Sequence, residues 1–306
     1  MTVTAGSRQA TVPLSAILMI CGSVLCFTVL DSITKFTSQL YPVPLLVWAR
    51  YIVQLVIVMI WLGHRAGARV FRTRNLQLHL IRGTMVLASS LAFVTALRSL
   101  PLAEATALVY SSPLLVVVMA WLFLNERVTR PRIAFVLAGA AGMLLIVRPG
   151  TEVFQAAALY ALAAAAFYAV YQILTRKMAG EDPRSLLLYP AVVGSVIMTG
   201  LAPTFEWPST MPWHHVALIV GGAMCGTFGH FLLIKAFTRG PASALTPYNY
   251  MQLVWATLIG WGVYGSFPDP WSLAGMAVIA GAGLLIALQE QRRRAPAPVH
   301  ESVAVD

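Results

Sequence analysis

Ten apolar runs, each about long enough to cross a lipid bilayer, follow one another along this chain of 306 residues. A helix needs about 20 apolar residues to cross the hydrocarbon core, where a backbone group without a hydrogen-bond partner is costly. Hydrophobic residues make up 58% of the chain and charged residues 10%, which leaves little sequence for a soluble domain. The sequence therefore predicts an all-α membrane protein with ten transmembrane helices.

The predicted spans are joined by short connections, so the helices must pack against one another and against lipid. Their predicted bounds are 14–34, 44–62, 80–98, 102–124, 132–148, 153–174, 185–204, 213–236, 243–264 and 271–289. Residues 1–13 form the predicted N-terminal segment. Residues 290–306, with three arginines and an Ala-Pro-Ala-Pro run, are a predicted disordered basic tail.

The net charge of +10 is explained by the membrane without a nucleic-acid partner. Lysine and arginine collect in the cytoplasmic connections of bacterial membrane proteins. With the N-terminus inside, most of the 21 basic residues fall on the cytoplasmic side, while Arg98 and Arg148 lie near the other face. We therefore expect a multi-pass protein of the cytoplasmic (inner) membrane with both termini in the cytoplasm.

An internal repeat relates the two halves of the chain. The segment 96–106 (ALRSLPLAEAT) aligns with 236–246 (AFTRGPASALT) at a shift of 140, which also matches Tyr110 with Tyr250. The segment 27–35 (FTVLDSITK) aligns with 168–176 (YAVYQILTR) at a shift of 141. Each copy has an odd number of spans, so the second copy enters the membrane from the opposite side.

This repeat predicts two inverted five-helix domains, 14–150 and 151–289, around a central cavity. Inverted repeats recur in secondary transporters, in which the two copies enclose a substrate site near the middle of the bilayer. A scaffold protein could also be duplicated, but it has no need for two similar states that exchange the roles of its halves.

The stretch 96–146 resembles the EamA-type drug/metabolite transporter superfamily. Residues that match its pattern are Pro113, Glu126, Gly139, Gly142, Lys35 and Arg50, whereas Leu253 and Ser266 depart from it in the second half. The aromatic segment 248–256 (YNYMQLVWA) is similar to bacterial amino-acid exporters of the YddG type. These resemblances imply a ten-helix carrier that exports aromatic or other neutral amino acids.

Four ionisable residues within the spans are candidates for charge or proton coupling. Asp31 and Lys35 lie one helical turn apart and can form a pair, although Lys35 can also extend to the interface. Arg50 lies two turns into its span, where a substrate carboxylate or helix carbonyls can neutralise it. His230 can exchange a proton near neutral pH, and packing is the alternative role.

Polar and aromatic side chains gather on a few spans and could line the cavity. An amphiphilic substrate needs donors for a carboxylate, ring faces or acceptors for an ammonium group, and an apolar wall. The predicted substrate-binding residues are Tyr110, Ser112, Tyr168, Gln172, Tyr248, Asn249, Tyr250, Gln252 and Trp255. The predicted hinges are Pro113 and Pro247, because a proline inside a helix removes a backbone donor.

We expect a secondary active or gradient-driven exporter of amino acids and related small metabolites that works by alternating access. The alternative is a broad drug or metabolite carrier whose substrates resemble S-adenosylmethionine. Motifs of intramembrane enzymes, metal sites and nucleotide binding are missing from the sequence, so no catalytic residue and no cofactor is predicted. The expected partners are a small-molecule substrate and the lipid bilayer, and the sequence leaves a monomer or a homodimer open.

Overall fold

The computed structural model describes residues 13–63, 73–124, 129–149, 156–178, 180–240 and 245–294. These ranges contain α-helices, short 3-10 segments and no strand. The α-helices are α1 (Leu14–Ser38), α2 (Val43–Gly63), α3 (Leu76–Ser99), α4 (Leu102–Val109), α5 (Ser112–Leu124), α6 (Arg130–Val147), α7 (Ala157–Lys177), α8 (Pro183–Leu201), α9 (Trp213–Phe237), α10 (Met251–Tyr264) and α11 (Pro270–Arg294).

Nine helical stretches in the described ranges are long and apolar enough to cross a membrane. One of them, Leu102–Leu122, combines α4 and α5. The predicted span 243–264 is not among the nine, because it divides into a 3-10 segment (Thr246–Tyr250) and the 14-residue helix α10. The all-helical membrane fold is thus confirmed, and the tenth crossing stays a prediction.

Several helices continue beyond their predicted ends, and α1 and α11 do so by the most residues. Helix α1 reaches Ser38 rather than residue 34, and α11 reaches Arg294 rather than residue 289. A helix can continue past the hydrocarbon into water, so hydropathy marks where the apolar run stops and not where the backbone uncoils. Of the predicted tail, residues 295–306 lie outside the described part of the chain.

Helices of the first half pack against antiparallel helices of the second half. Against α9, Ser23 of α1 donates to the Gly229 carbonyl at 2.8 Å, and Leu30 faces Gly226 further along. The pair formed by α3 and α7 is also antiparallel. Ser89 donates a 2.9 Å hydrogen bond to the Ala164 carbonyl, and Arg82, earlier on α3, donates to Thr175, later on α7. In the α1–α9 pair, residue numbers rise along one helix as they fall along the other.

Two further pairs across the halves, α2 with α8 and α6 with α11, are also antiparallel. Trp48 donates to Thr199 at 3.1 Å, and the Tyr51 carbonyl accepts from Ser195 at 3.0 Å. Helices α6 and α11 cross at Gly142 and Gly275: a Cβ on Gly275 would lie only 2.6 Å from the Gly142 carbonyl oxygen. Small residues allow this close approach of two backbones.

Two spans are interrupted at positions that the repeat aligns. Helix α4 ends at Val109, Tyr110 and Ser111 form a turn, and α5 restarts with Pro113 as its second residue. The second interruption is the 3-10 segment Thr246–Tyr250, which contains Pro247 and Tyr250. Since proline lacks a backbone N–H, each break places irregular backbone and a tyrosine inside the bundle.

Candidate functional site

A cavity of about 540 Å³ lies between the two halves. Most of the helices contribute to its wall, together with both helix breaks. Apolar side chains alternate with polar ones there, as in many small-molecule sites. Its polar and charged lining residues are Asp31, Arg50, Ser89, Ser90, Thr106, Tyr110, Ser112, Arg132, Tyr168, Gln172, Arg176, His230, Asn249, Tyr250 and Gln252.

Most of the predicted site residues meet at this cavity. The predicted residues on its wall are Tyr110, Ser112, Pro113, Tyr168, Gln172, Asn249, Tyr250, Gln252, Asp31, Arg50 and His230. The predicted residues that are not on its wall are Lys35, Tyr248, Trp255 and Pro247. Tyr248 instead packs against the buried apolar cluster around Ile20 and Leu245.

Asp31 and Lys35 were able to pair by their spacing, but in the structure each side chain has a different partner. Lys35 Nζ donates to the carbonyl oxygens of Leu97 at 2.9 Å and Leu100 at 2.6 Å, at the end of α3. Asp31 Oδ2 instead accepts from Gln252 at 3.3 Å. The two side chains are close in sequence on α1, but Asp31 faces the cavity while Lys35 reaches a neighbouring helix end.

Opposite charges face the cavity from α1 and α2. Asp31 is 8% exposed, and the guanidinium of Arg50 attracts its carboxylate electrostatically. No side chain or backbone group in the described ranges accepts a hydrogen bond from Arg50. His230 stands on the same wall, with its ring 4.7 Å from that of Phe27. The cavity can therefore offer a negative group and a positive group to one ligand.

The two repeat-related tyrosines meet at the helix breaks. The rings of Tyr110 and Tyr250 lie 5.4 Å apart between centroids. Tyr110 Oη is 2.9 Å from both the Asn249 carbonyl and Gln252 Oε1, either of which can accept its proton. Tyr250 lies directly against Gly283 of α11, where any side chain would collide with its hydroxyl. The pair forms an aromatic wall beside Asp31 and Gln252.

Two arginines at the cavity were missed as site residues. Arg132 lies in the first turn of α6, and Arg176 is exposed near the end of α7. Both belong to the basic residues that the charge pattern places on the cytoplasmic side, but charge gives no information on side-chain direction. The repeat offered a signal for Arg176, because the alignment of 27–35 with 168–176 places it opposite Lys35.

These arginines mark where the cavity opens. We call the face of the bundle at which α1 begins the N-terminal face, and the opposite side the far face. Because short connections join successive spans, α6 begins and α7 ends at the N-terminal face. The cavity therefore extends from Asp31 and Tyr110 toward this face.

The far face is closed by polar contacts between helices. Arg148 and Asp269 form an ion pair at 2.5 Å that joins the ends of α6 and α11. Tyr264 Oη donates to the Ser32 carbonyl at 2.5 Å and so joins α10 to α1. Together with the Lys35 bonds, these contacts hold the helix ends together on that side.

A separate polar cluster joins the halves at the rim of the N-terminal face. Glu181, in the connection between α7 and α8, accepts hydrogen bonds from Asn75 at 2.8 Å and from Thr73 at 3.1 Å. The bond from Asn75 contributes most to holding the pKa of Glu181 below its ordinary value. Buried Arg82 donates nearby to Thr175 and to the Leu186 carbonyl.

Comparison with known proteins agrees with this architecture. The EamA-like transporter family model matches residues 14–148 and again 155–288. A crystal structure with a TM-score of 0.64 and 20% identity covers 92% of this chain, and 99% of that structure is matched. At that identity the likeness shows the fold alone.

Curated relatives of the chain have names of transporters for different metabolites. An S-adenosylmethionine uptake transporter of Rickettsia felis is 30% identical over 77% of this chain and 79% of its own. A riboflavin transporter of Brucella anthropi is 29% identical over 81% and 89%, respectively. A pseudopaline exporter of Pseudomonas aeruginosa is 26% identical over 84% and 90%.

The family model covers nearly the whole chain in two consecutive matches, as expected for a duplicated transporter. These transporter names argue against an enzyme. The chain belongs to the EamA-like transporter family.

Proposed function

We propose that this protein is a secondary carrier of small polar metabolites, with ten spans arranged as two inverted five-helix repeats. The antiparallel cross-pairs support the inversion, because α2 with α8 and α6 with α11 join spans that the repeat makes equivalent. Two inverted copies around one cavity can expose it to either side of the membrane in turn. Alternating access is the mechanism that this architecture serves.

The N-terminal face is the proposed cytoplasmic face of the inner membrane. Arg130, Arg132, Arg176 and Lys177 lie at this face, and basic residues favour the cytoplasm. With this orientation, both termini are cytoplasmic and the structure is an inward-open state.

The proposed substrate is a small molecule that carries both a positive and a negative group. The observation on which this rests is the presence of Asp31 and Arg50 on the wall of one intramembrane cavity. An isolated charge inside a membrane is costly and usually functional. The volume of about 540 Å³ lies within the range of about 300–1,000 Å³ that small-molecule sites occupy.

An S-adenosylmethionine-like metabolite fits these groups best. Its sulfonium and ammonium groups suit Asp31 and the tyrosine ring faces, its carboxylate suits Arg50, and its adenine ring suits the pair of Tyr110 and Tyr250. The name of the Rickettsia felis relative supports the same substrate class.

Export of neutral or aromatic amino acids is the second candidate. The paired tyrosine rings and the Asp31–Arg50 charges favour it, since an amino acid has the same two charged groups. Its smaller size would leave more of the cavity filled with water. Substrate competition therefore distinguishes the two candidates.

Flux into proteoliposomes tests the proposal. Purified protein is reconstituted and supplied with labelled S-adenosylmethionine, riboflavin or phenylalanine, with and without a pH gradient. We expect saturable S-adenosylmethionine flux that Arg50→Gln and Asp31→Asn reduce at least tenfold, since each loses a charge-assisted contact of about 1.5–3 kcal/mol.

Lys177→Gln is the matched control, because this exposed lysine lies at the same face but not on the cavity wall. Flux of riboflavin alone would contradict the proposed charge pattern, because its ring system lacks the paired charges. Flux of phenylalanine alone would favour the second candidate.

A further inference from the structure

The two halves differ in one helix contact that the repeat makes equivalent. Helix α1 corresponds to α7, and α3 corresponds to α9. In the structure α1 packs against α3, whereas α7 and α9 make no comparable contact within the described ranges. The space between α1 and α3 is closed at the far face, and we call it the closed gap. The space between α7 and α9 is open at the N-terminal face, where the cavity has its mouth, and we call it the open gap.

Lys35 joins α1 to α3 at the closed gap. Lys35, near the end of α1, donates to the carbonyls of Leu97 and Leu100, which have no helical N–H partner at the C-terminus of α3. Its ammonium also lies 5.7 Å from the centroid of the Tyr264 ring. A cation at a helix C-terminus satisfies these carbonyls and interacts favourably with the helix dipole.

The repeat gives this lysine a counterpart at the open gap. At a shift of 141 Lys35 falls on Arg176, near the end of α7, and at a shift of 140 Leu97 and Leu100 fall on Phe237 and Gly240 at the end of α9. Arg176 is exposed on the cavity wall, and no group in the described part of the chain accepts a hydrogen bond from its guanidinium. Arg176 therefore occupies the position equivalent to Lys35, but in the described part of the chain its side chain does not bind a helix end.

We propose that Lys35 and Arg176 are alternating latches of the two gates. In the inward-open state Lys35 binds the end of α3 and seals the far face. In the outward-open state Lys35 releases those carbonyls, and Arg176 binds the carbonyls of Phe237 and Gly240 at the end of α9. This inference rests on the proposed alternating-access carrier, but it concerns residues outside the charged pair that we assign to substrate.

The two latches shift the equilibrium between the inward-open and outward-open states in opposite directions. Removal of the Lys35 charge destabilises the inward-open state, and removal of the Arg176 charge destabilises the outward-open state. From the usual strength of a cation at a helix C-terminus, each loss changes the ratio of the two states about two- to thirtyfold. The double variant should return toward the original ratio, because each state has then lost its own latch.

Thiol labelling measures this ratio without transport. A single reporter, Val109→Cys on the cavity wall, is placed in a chain in which Cys21, Cys26 and Cys225 are replaced by alanine. A membrane-impermeant maleimide is then applied to right-side-out and to inside-out vesicles. Lys35→Gln should increase labelling from the outside, and Arg176→Gln should decrease it.

Conservative and control variants sharpen the test. Lys35→Arg and Arg176→Lys keep the cation and should preserve the labelling ratio. The controls are Arg98→Gln and Lys177→Gln, which remove exposed charges next to each latch; in the described ranges neither side chain donates a hydrogen bond to a helix-end carbonyl. Equal labelling in Lys35→Gln, Arg176→Gln and the starting protein would overturn the proposal, as would a shift of both single variants in the same direction.

Flux measurements on the same variants separate this proposal from the proposed function. Opposite shifts in labelling support the latches even if none of the tested metabolites is transported. Normal substrate flux together with unchanged labelling contradicts the latches and leaves the carrier assignment intact.

Discussion

Tyr110 shows how one side chain can connect both helix breaks. It lies in the break between α4 and α5, and its hydroxyl reaches the Asn249 carbonyl and Gln252 beyond the other break. Gln252 in turn donates to Asp31. The hydroxyl therefore helps to orient the amide that holds the candidate carboxylate.

Tyr110→Phe tests this role. The change removes the hydroxyl and leaves Gln252 free to rotate, at a cost of about 0.5–1.5 kcal/mol for one neutral hydrogen bond. We expect the KM for the transported metabolite to rise about two- to tenfold while folding is retained. Tyr160→Phe is the control, since Tyr160 is 52% exposed on α7. An unchanged KM in Tyr110→Phe would show that this hydroxyl does not orient the site.

Among single residues, the repeat and the polar side chains of the spans predicted Tyr110, Tyr250 and Gln252, and the cost of a charge in the membrane predicted Asp31. The direction of Lys35 could not be predicted in the same way. Spacing along one helix showed that it could reach Asp31, but only the packing of α1 against α3 reveals two free carbonyls nearer to its ammonium. Long-range proximity of a helix end leaves no trace in local spacing.

Helices α6 and α11 cross closely enough that their glycines form the contact. A Cβ added to Gly142 would lie 2.9 Å from the Gly275 carbonyl oxygen, and a Cβ added to Gly275 would lie 2.6 Å from the Gly142 carbonyl oxygen. Backbone cannot move aside as a flexible side chain can. The crossing of α6 and α11 therefore requires a residue without a side chain at both positions where these helices join the two halves.

Gly275→Ala should lower the stability of the protein by about 1–3 kcal/mol, which is the usual cost of overpacking. The measurement is thermal unfolding in detergent, followed by intrinsic fluorescence. Gly281→Ala on the same helix is the control, because a Cβ there meets nothing within 4 Å. An equal melting temperature in both variants would contradict the close crossing.

The hydrogen bonds of Glu181 predict a pH dependence at the rim of the N-terminal face. Its pKa is lowered in the folded protein, chiefly by the bond from Asn75, so its stabilising contribution is present above the ordinary carboxyl pKa. That contribution is lost as pH falls through the lowered pKa. Glu181→Gln should therefore have a lower melting temperature than the wild type at neutral pH. In acid the two melting temperatures should converge. Parallel melting curves at every pH would refute this contribution.

Hydropathy predicted the existence of the helices well and their ends less well. The ends of α1 and α11 were placed too early, because backbone hydrogen bonds continue where apolar side chains stop. The sequence predicted one continuous span over 243–264, yet Thr246–Tyr250, which contains Pro247, forms a 3-10 segment. The prolines at 113 and 247 were the sequence signal of both breaks.

At the scale of the whole molecule, helices from both parts of the chain enclose one cavity, which fits the proposed pair of inverted halves. The repeat in the sequence predicted such an interior, and the antiparallel cross-pairs support it. The sequence could not predict which face is open, because the proposed inverted halves would allow both states with the same pattern of hydrophobic residues. The latch contacts at the far face and the arginines at the mouth supply that information.

Counterflow in proteoliposomes tests the central claim, a single cavity exposed to one side at a time. Vesicles are loaded with unlabelled substrate, and entry of the same labelled metabolite is followed, with S-adenosylmethionine first. If one cavity faces one side at a time, entry should be saturable, internal substrate should accelerate it, and Arg50→Gln should abolish it. Entry that rises linearly with concentration and ignores internal substrate would indicate a channel and exclude alternating access.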